Sequence, residues 1–218
     1  MKKLLVLLPL IGVAVAASAS PERFGPGSNR VTNPWFPLRP GTTYVYRGVK
    51  DGKPARDVVT VPRPSATIDG VRCQVVRDRL YLAGRLAERT TDWYAQDRTG
   101  NVWYFGGPTA ELDAAGKITS TEGTWRSGRD GARAGIFMPV DPRVGQSFRQ
   151  EYYKSHAADH FRVLARTGNT LLTKEWTPLE PGVVDHKRYR RGVGEIREES
   201  VRGPVERLVL VSFRGPRP

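Results

Sequence analysis

The stretch TDWYAQDRTGNVWYFG, residues 91–106, restricts the fold most, because its turn fixes a strand pairing residue by residue. Residues 97–100, Asp-Arg-Thr-Gly, suit a type I turn in which Gly100 takes the left-handed position of a three-residue hairpin loop. Asp97 then faces Asn101, and the two strands pair outward from that point. We therefore predict a β-hairpin whose register is set by its turn.

The pairing divides the hairpin into two faces, since alternate residues of a strand point to opposite sides. We expect the first face to be core and the second to line a wet cavity or the rim of a second layer. The first face carries Trp93, Ala95, Trp103 and Phe105, and the second carries Tyr94, Gln96, Val102 and Tyr104. On the second face, Tyr94 and Tyr104 are candidate ligand-binding residues.

Strand patterns fill most of the remaining chain. Alternation of apolar and polar residues, β-branched and aromatic side chains and Gly/Pro punctuation favour strands, whereas helix-period spacing is nearly absent. The predicted fold class is all-β, with antiparallel meanders forming a barrel or a sandwich. The last strand, 205–213, is apolar on both faces, which predicts that both of its faces are covered. The other predicted strands are 42–48, 56–62, 71–82, 123–127, 134–139, 146–153, 160–166, 170–177 and 194–201.

The order of strand and turn signals occurs twice, which suggests two related halves. One unit begins at Gly41 and the other, nine residues shorter over the compared span, begins at Gly145. We predict a single all-β domain over 41–218. It contains a first meander (41–106), a connecting hairpin (107–143) and a second meander (144–213), and is preceded by an irregular lead-in at 20–40.

The first residues, MKKLLVLLPLIGVAVAASAS, predict a secretory signal peptide over 1–19. Two lysines precede an apolar run that is too short for a membrane span, and small residues place cleavage near Ala16–Ala19. No cysteine follows the run, which argues against a lipid anchor. We expect a secreted or extracytoplasmic protein of the cell envelope that is not transmembrane.

Cysteine content and charge restrict the chemistry further. Cys73 is the single cysteine, and its strand position favours a buried thiol over intermolecular pairing. The formal net charge of +13 would attract anionic partners, such as an anionic cell-envelope polymer or lipid headgroups, but we favour an arginine-rich composition as the explanation of this charge. Export argues against nucleic acid.

Several longer motifs resemble a family of uncharacterised exported bacterial proteins, which are secreted or are lipoproteins. They include DWYAQDRTGNVWYFG, AGIFMPVDPRVGQSFRQEYY, LLTKEWTPLEPGVVDHKRYRRGVG and ERLVLVSF, and together they cover nearly all of the chain after the signal peptide. The resemblance implies no catalytic residues. Members carry a further strand before LLTKEW that this chain lacks, which implies a lost edge strand or a damaged fold.

Two clusters of side chains could carry chemistry, and the first is the three histidines. His156 and His160 have a spacing that metal ligands use on a helix, and His186 would complete a site. However, Ala157 stands where a metalloprotease needs Glu. We find no catalytic constellation and predict a non-enzymatic protein without a cofactor, with a metal-dependent hydrolase using these histidines as one alternative.

The densest basic cluster, HKRYRR at 186–191, predicts an anion-binding patch made of Lys187, Arg188, Arg190 and Arg191. Two functions without catalysis therefore remain open. In the first, the protein binds a lipid or another small apolar or amphipathic ligand. In the second, it is a basic envelope-surface protein that binds an anionic polymer through this patch.

Overall fold

Antiparallel strands make up most of the chain in a computed structural model that describes residues 21–215. The predicted signal peptide lies outside the described residues. The all-β prediction is confirmed, and the described part contains no helix that is long and apolar enough to cross a bilayer. The strands are β1 Thr43–Lys50, β2 Lys53–Thr60, β3 Ser65–Ile68, β4 Val71–Leu82, β5 Arg85–Gln96, β6 Val102–Tyr104, β7 Gly106–Gly107, β8 Thr109–Leu112, β9 Ile118–Ser120, β10 Trp125–Arg126, β11 Arg133–Met138, β12 Ser147–Arg149, β13 Glu151–Tyr152, β14 His160–Arg166, β15 Thr170–Trp176, β16 Val184–Arg190, β17 Gly194–Arg202 and β18 Glu206–Arg214.

One sheet curls into a nearly closed barrel. Thirteen of its sixteen strands follow the order β12-β14-β15-β16-β17-β18-β1-β2-β4-β5-β6-β11-β13, and β3, β8 and β9 pair beside this path. The two terminal strands of this path belong to one segment, 147–152, and only Gln150 separates them. Because β12 pairs with β14 and β13 pairs with β11, the same segment borders both ends of the sheet. Of the two predicted architectures, the barrel is the one observed.

The two meanders meet where β1 pairs with β18. Between them, residues 107–143 form the β8–β9 hairpin, then β10, which pairs with β7, and β11, which pairs with β6. Near the place of the strand implied as missing before Leu171, β14 pairs with β15 along its length and with β12 over residues 160–162.

The predicted hairpin register is confirmed. Tyr94 pairs with Tyr104, and Gly100 has a φ of +93° at the predicted left-handed position. The Asp97 carboxylate organises the turn. It accepts hydrogen bonds from the Asn101 backbone N–H at 2.9 Å and from the Trp103 indole N–H at 2.9 Å. Those bonds to the ionised form hold the pKa of Asp97 below its usual value despite the opposing effect of burial.

Both faces of the hairpin are buried, each in a different core. Its Trp face packs outside the barrel, where the N-terminal residues and the β3–β4 hairpin cover it. This outer core contains Phe24, Ile68, Val71, Cys73, Ala95, Trp103, Phe105 and Ala134. The prediction of a buried thiol is confirmed, and burial raises the pKa of Cys73 to about 12. The hairpin's Tyr face points into the barrel.

The predicted irregular lead-in seals one end of the barrel. Residues 31–38 cross this end, and the Trp35 side chain is fully buried among interior side chains. Asn33 donates to the carbonyl of Gly100 in the β5–β6 turn at 2.9 Å. On the far side, Gly192 in the β16–β17 turn donates its backbone N–H to the carbonyl of Pro34 at 2.7 Å. The segment therefore closes this end as a plug.

The last strand lies in the middle of the sheet, but the prediction that both of its faces are covered is wrong. Leu208 points inward and is buried, whereas Val211 is 55% exposed on the outside of the barrel. The outer core covers the opposite part of the sheet and does not extend over β18.

The sheet closure depends on close backbone approach at Gly135. A Cβ built there would lie 2.3 Å from the Arg149 carbonyl oxygen, inside contact distance. We predict that Gly135→Ala lowers the free energy of unfolding by about 1–3 kcal/mol, the usual effect of overpacking, in urea denaturation. Gly182→Ala is the matched control, since nothing lies within 4 Å of its Cβ position. Equal stability of the two variants would contradict the close approach.

Candidate functional site

The barrel interior becomes strongly acidic toward the end opposite the plug, where the β1–β2, β4–β5 and β17–β18 turns lie. We call this region the acidic lumen. Among residues 21–215 it holds ten acidic residues but only two lysines or arginines, Lys50 and Lys187. Its carboxyl groups are Asp57, Asp78, Glu88, Asp92, Glu151, Asp159, Glu175, Glu195, Glu198 and Glu206.

Carboxyl groups from distant strands meet across this space. Asp78 on β4 and Glu195 on β17 are separated by three intervening strands. Burial is the main cause of the raised pKa of Glu195, and the charge of Asp78 still adds to it across the interior. A direct contact bridges the interior nearby. The Tyr46 hydroxyl on β1 donates to the backbone carbonyl of Glu195 at 3.1 Å, past the intervening strand β18.

Lys187 provides the main positive charge of the lumen. Its Nζ lies 3.2 Å from a Glu175 carboxylate oxygen, 3.2 Å from Glu198 and 3.9 Å from Glu195. Burial lowers the pKa of Lys187, but the three glutamates more than offset this effect and hold it well above its usual value. Its side chain is still 19% exposed, so solvent reaches the group within the barrel. Lys50 forms a second pair, with Glu206 at 3.1 Å.

Asp57 and Asp78 form a pair of carboxyl groups with no cation between them. Burial, together with the hydrogen bond and charge of Asp78, raises the pKa of Asp57 to about 10. Asp57 is only 9% exposed, and its Oδ1 has no hydrogen-bond partner among the described residues. An unpartnered buried carboxyl oxygen is a costly feature unless a proton or a ligand supplies the donor.

Two further carboxyl groups are buried at the border with the apolar interior. Asp92 accepts a hydrogen bond from the Tyr104 hydroxyl at 2.8 Å, and burial raises its pKa to about 7. Glu151 accepts from the Trp125 indole N–H at 2.7 Å. Burial and the neighbouring Asp159 raise the pKa of Glu151 to about 8. At pH 7 Glu151 is therefore mostly protonated and Asp92 about half protonated, whereas ordinary carboxyls have released their protons.

The two tyrosines predicted to bind a ligand lie at this same border. Their rings stack at 5.1 Å, and Tyr94 also contacts Phe137 at 5.1 Å. Tyr94 is buried in the apolar interior, while the Tyr104 hydroxyl reaches Asp92 in the acidic lumen. Their role in ligand binding stays a prediction.

The predicted anion-binding patch is divided between the two sides of the barrel wall. Lys187 points into the acidic lumen, so it is not part of an exposed patch. Arg188 and Arg190 are exposed on the outer side of β16. Arg191 lies in the following turn, with its guanidinium 5.9 Å from the Trp35 ring centroid at the plugged end.

The three histidines occupy separate surroundings. His156 stacks on Tyr153 and His160 stacks on Trp176, while His186 sits on β16 opposite Lys174. Within residues 21–215, no three His, Cys, Asp or Glu side chains are grouped as ligands for a metal ion.

Sequence reasoning missed the carboxyl groups of the lumen, although one signal was present. Asp57 shares its strand face with Ala55 and Val59, so it interrupts an apolar inward stripe. Asp78 interrupts the face of Val76 and Leu80 in the same way. An acidic residue within an apolar stripe indicates a buried carboxyl, and two adjacent stripes carry one.

Comparisons with known proteins add little to this description. No protein-family model matches the chain, and neither does any curated protein. Among solved structures, the chain is similar to one described as a "putative lipoprotein" from Parabacteroides distasonis ATCC 8503. The identity is 10% and the TM-score 0.40, over 83% of this chain and 98% of that one.

The raised pKa of Asp92 predicts a pH-dependent stability. Between about pH 4, the pKa of an unfolded Asp, and about pH 7, the folded protein keeps a proton that the unfolded chain has lost, so stability falls as pH rises. We predict that Asp92→Asn, which keeps the acceptor for Tyr104, matches the unsubstituted protein at pH 4. At pH 8.5 it should be more stable by about 2–4 kcal/mol in urea denaturation.

Asp141 provides a control, because its contribution to stability changes with pH in the opposite direction to that of Asp92. Its pairing with Arg166 lowers its pKa, so it stabilises the fold above about pH 4 and that contribution is lost as pH falls. Asp141→Asn should therefore be destabilising at pH 8.5, and this effect should shrink as pH falls below about 4. A pH-independent effect of Asp92→Asn would contradict the burial of this carboxyl.

Proposed function

We propose that the protein is a non-enzymatic binding protein of the extracytoplasmic space that takes a small organic polycation, of the polyamine type, in the acidic lumen. The observation that carries the proposal is the pair Asp57 and Asp78, in which a carboxyl oxygen buried inside the barrel has no donor. The location rests on the predicted signal peptide and on the resemblance to exported proteins.

The charge balance of the lumen supports a cationic ligand. Ten carboxyl groups share this space with two ammonium groups, and carboxylates that share a low-dielectric space cannot all be ionised. Either protons neutralise the excess charge, which raises the pKa values, or a bound cation does. A polycation therefore competes with protons for the same groups, and its binding should release protons from Asp57, Asp92 and Glu151.

The distribution of the acids favours an extended ligand with several amines. They come from strands around the whole barrel, including β2, β4, β5, β15, β17 and β18, so a single point charge would meet only a few. Lys187 already shows how such a cation binds, since one ammonium group contacts three glutamates.

An apolar ligand has less support in this barrel. The space beyond the tyrosines is filled by Trp35 and Leu38 of the plug and by inward side chains such as Phe161 and Leu171, all buried. A purely apolar molecule or a lipid tail would have to displace them.

Calorimetric titration with spermine tests the proposal. We predict that Glu195→Gln/Glu198→Gln weakens spermine binding by about tenfold or more, since each carboxylate supplies a charge-assisted hydrogen bond. Glu22→Gln/Glu122→Gln removes the same charge at exposed sites and should bind like the unsubstituted protein. In buffers of different ionisation enthalpy, the unsubstituted protein should release protons on binding at pH 7. Equal weakening by both variants, or no binding at all, would refute the proposal.

Replacement of the internal ammonium group gives a second test. Lys187→Met leaves three glutamates unpaired, and we predict a loss of roughly 2–3 kcal/mol in unfolding free energy, less than for a fully buried pair because solvent reaches the site. Spermine should restore the melting temperature of this variant more than it raises that of the unsubstituted protein. Lys154→Met, at an exposed position, should show neither effect. A destabilised variant that spermine does not rescue would contradict the proposed ligand class.

A further inference from the structure

The outer surface of the barrel carries arginines that oppose one another directly across neighbouring strands. Arg188 on β16 pairs in register with Arg197 on β17, Arg47 on β1 with Arg56 on β2, and Arg79 on β4 with Arg89 on β5. We call these six residues the arginine belt. They point away from the acidic lumen, because the side chains of their strand neighbours point into the barrel, namely Lys187, Glu198, Tyr46, Asp57, Asp78 and Glu88.

Like charges directly opposite each other in a sheet destabilise it. Arg197 has an ion pair with Glu199 on its own strand. Over residues 21–215, no carboxylate lies within ion-pair distance of any of the other five. Arg47, Arg56, Arg89 and Arg188 are exposed, and the Arg56 guanidinium lies over the Tyr81 ring at 5.4 Å. The belt thus concentrates repulsion that the chain itself does not relieve.

From this surface we infer that the arginine belt binds a flexible linear polymer of oxyanions, with phosphate or carboxylate groups. Guanidinium groups bind both anions through paired hydrogen bonds. Binding would supply the negative charge that the opposed pairs lack. This surface lies outside the barrel wall and is independent of the proposed lumen ligand.

The curvature of the belt favours a flexible polymer over a membrane. The belt runs across β16, β17, β18, β1, β2, β4 and β5, seven of the thirteen strands of the barrel path. At the usual strand spacing this is about 29 Å along the sheet. Because the sheet curves through about half a turn over that distance, a flat bilayer would meet only part of the belt, whereas a flexible chain can follow it.

Fluorescence anisotropy tests whether the arginine belt binds such a polymer. Titrations with long-chain polyphosphate and with polyglutamate, each at several salt concentrations, distinguish the two anions. We expect one of them to bind, with affinity falling steeply as salt rises. Arg47→Gln/Arg56→Gln should weaken binding by about tenfold at low salt and lower the log–log salt slope by about two. The same variant should keep or raise its melting temperature, because it removes a repulsive pair.

Two controls make the test specific. Arg129→Gln/Arg133→Gln removes the same charge from exposed positions next to and on β11, away from the belt, and should bind as the unsubstituted protein does. Tripolyphosphate, which is too short to follow the belt, should compete poorly. Equal weakening by both double variants would show a net-charge effect and overturn the inference. Belt-dependent binding to phosphatidylglycerol vesicles without polymer binding would overturn it in favour of a membrane surface.

Discussion

Closure of the sheet through one interrupted strand is the constraint on which the rest of the molecule depends. Segment 147–152 pairs with β14 through β12 and with β11 through β13, and the change of partner occurs at Gln150. Gln150 keeps its own backbone satisfied by donating to the Asp159 carbonyl at 2.7 Å. Without this shared strand, the sheet would have two exposed edges and no enclosed interior.

An enclosed interior allows the wall of the barrel to separate charge. On β16 and β17, neighbouring residues alternate between the acidic lumen and the arginine belt, so that Lys187 and Glu198 face inward while Arg188 and Arg197 face outward. Acidic groups with raised pKa values are therefore only one strand thickness away from unpaired arginines. The large positive net charge of the chain comes from residues on the outside of the barrel, whereas the charged residues of the interior are mostly acidic.

Sequence patterns predicted the parts of the fold in which local chemistry decides the structure. The turn residues Asp97 and Gly100 fixed the hairpin register, and the apolar neighbours of Cys73 indicated its burial. Strand periodicity could not assign the faces of residues 184–202, because both faces there carry charged residues. A two-residue period separates inside from outside only when one of the faces is apolar.

Which side of the barrel wall a residue faces depends on how distant strands close the barrel, and the local sequence pattern does not contain that information. Lys187 and Arg188 look equivalent in the sequence HKRYRR, and the single patch predicted from them joined residues from opposite sides of the wall. The carboxyl pair Asp57 and Asp78 brings together residues 21 positions apart on β2 and β4, which pair although β3 lies between them in the sequence. Neither feature has a spacing that a motif search would recognise.

The plug at residues 31–38 determines from which end of the barrel the interior can be reached. With Trp35 buried at one end and Asn33 bonded across to the β5–β6 turn, the barrel resembles a cup and not a tunnel. A cation that enters the lumen as proposed would meet the plug at the far side and would have to leave by the end at which it came in. Exchange would then be sequential, because a resident molecule has to depart before another can take its place.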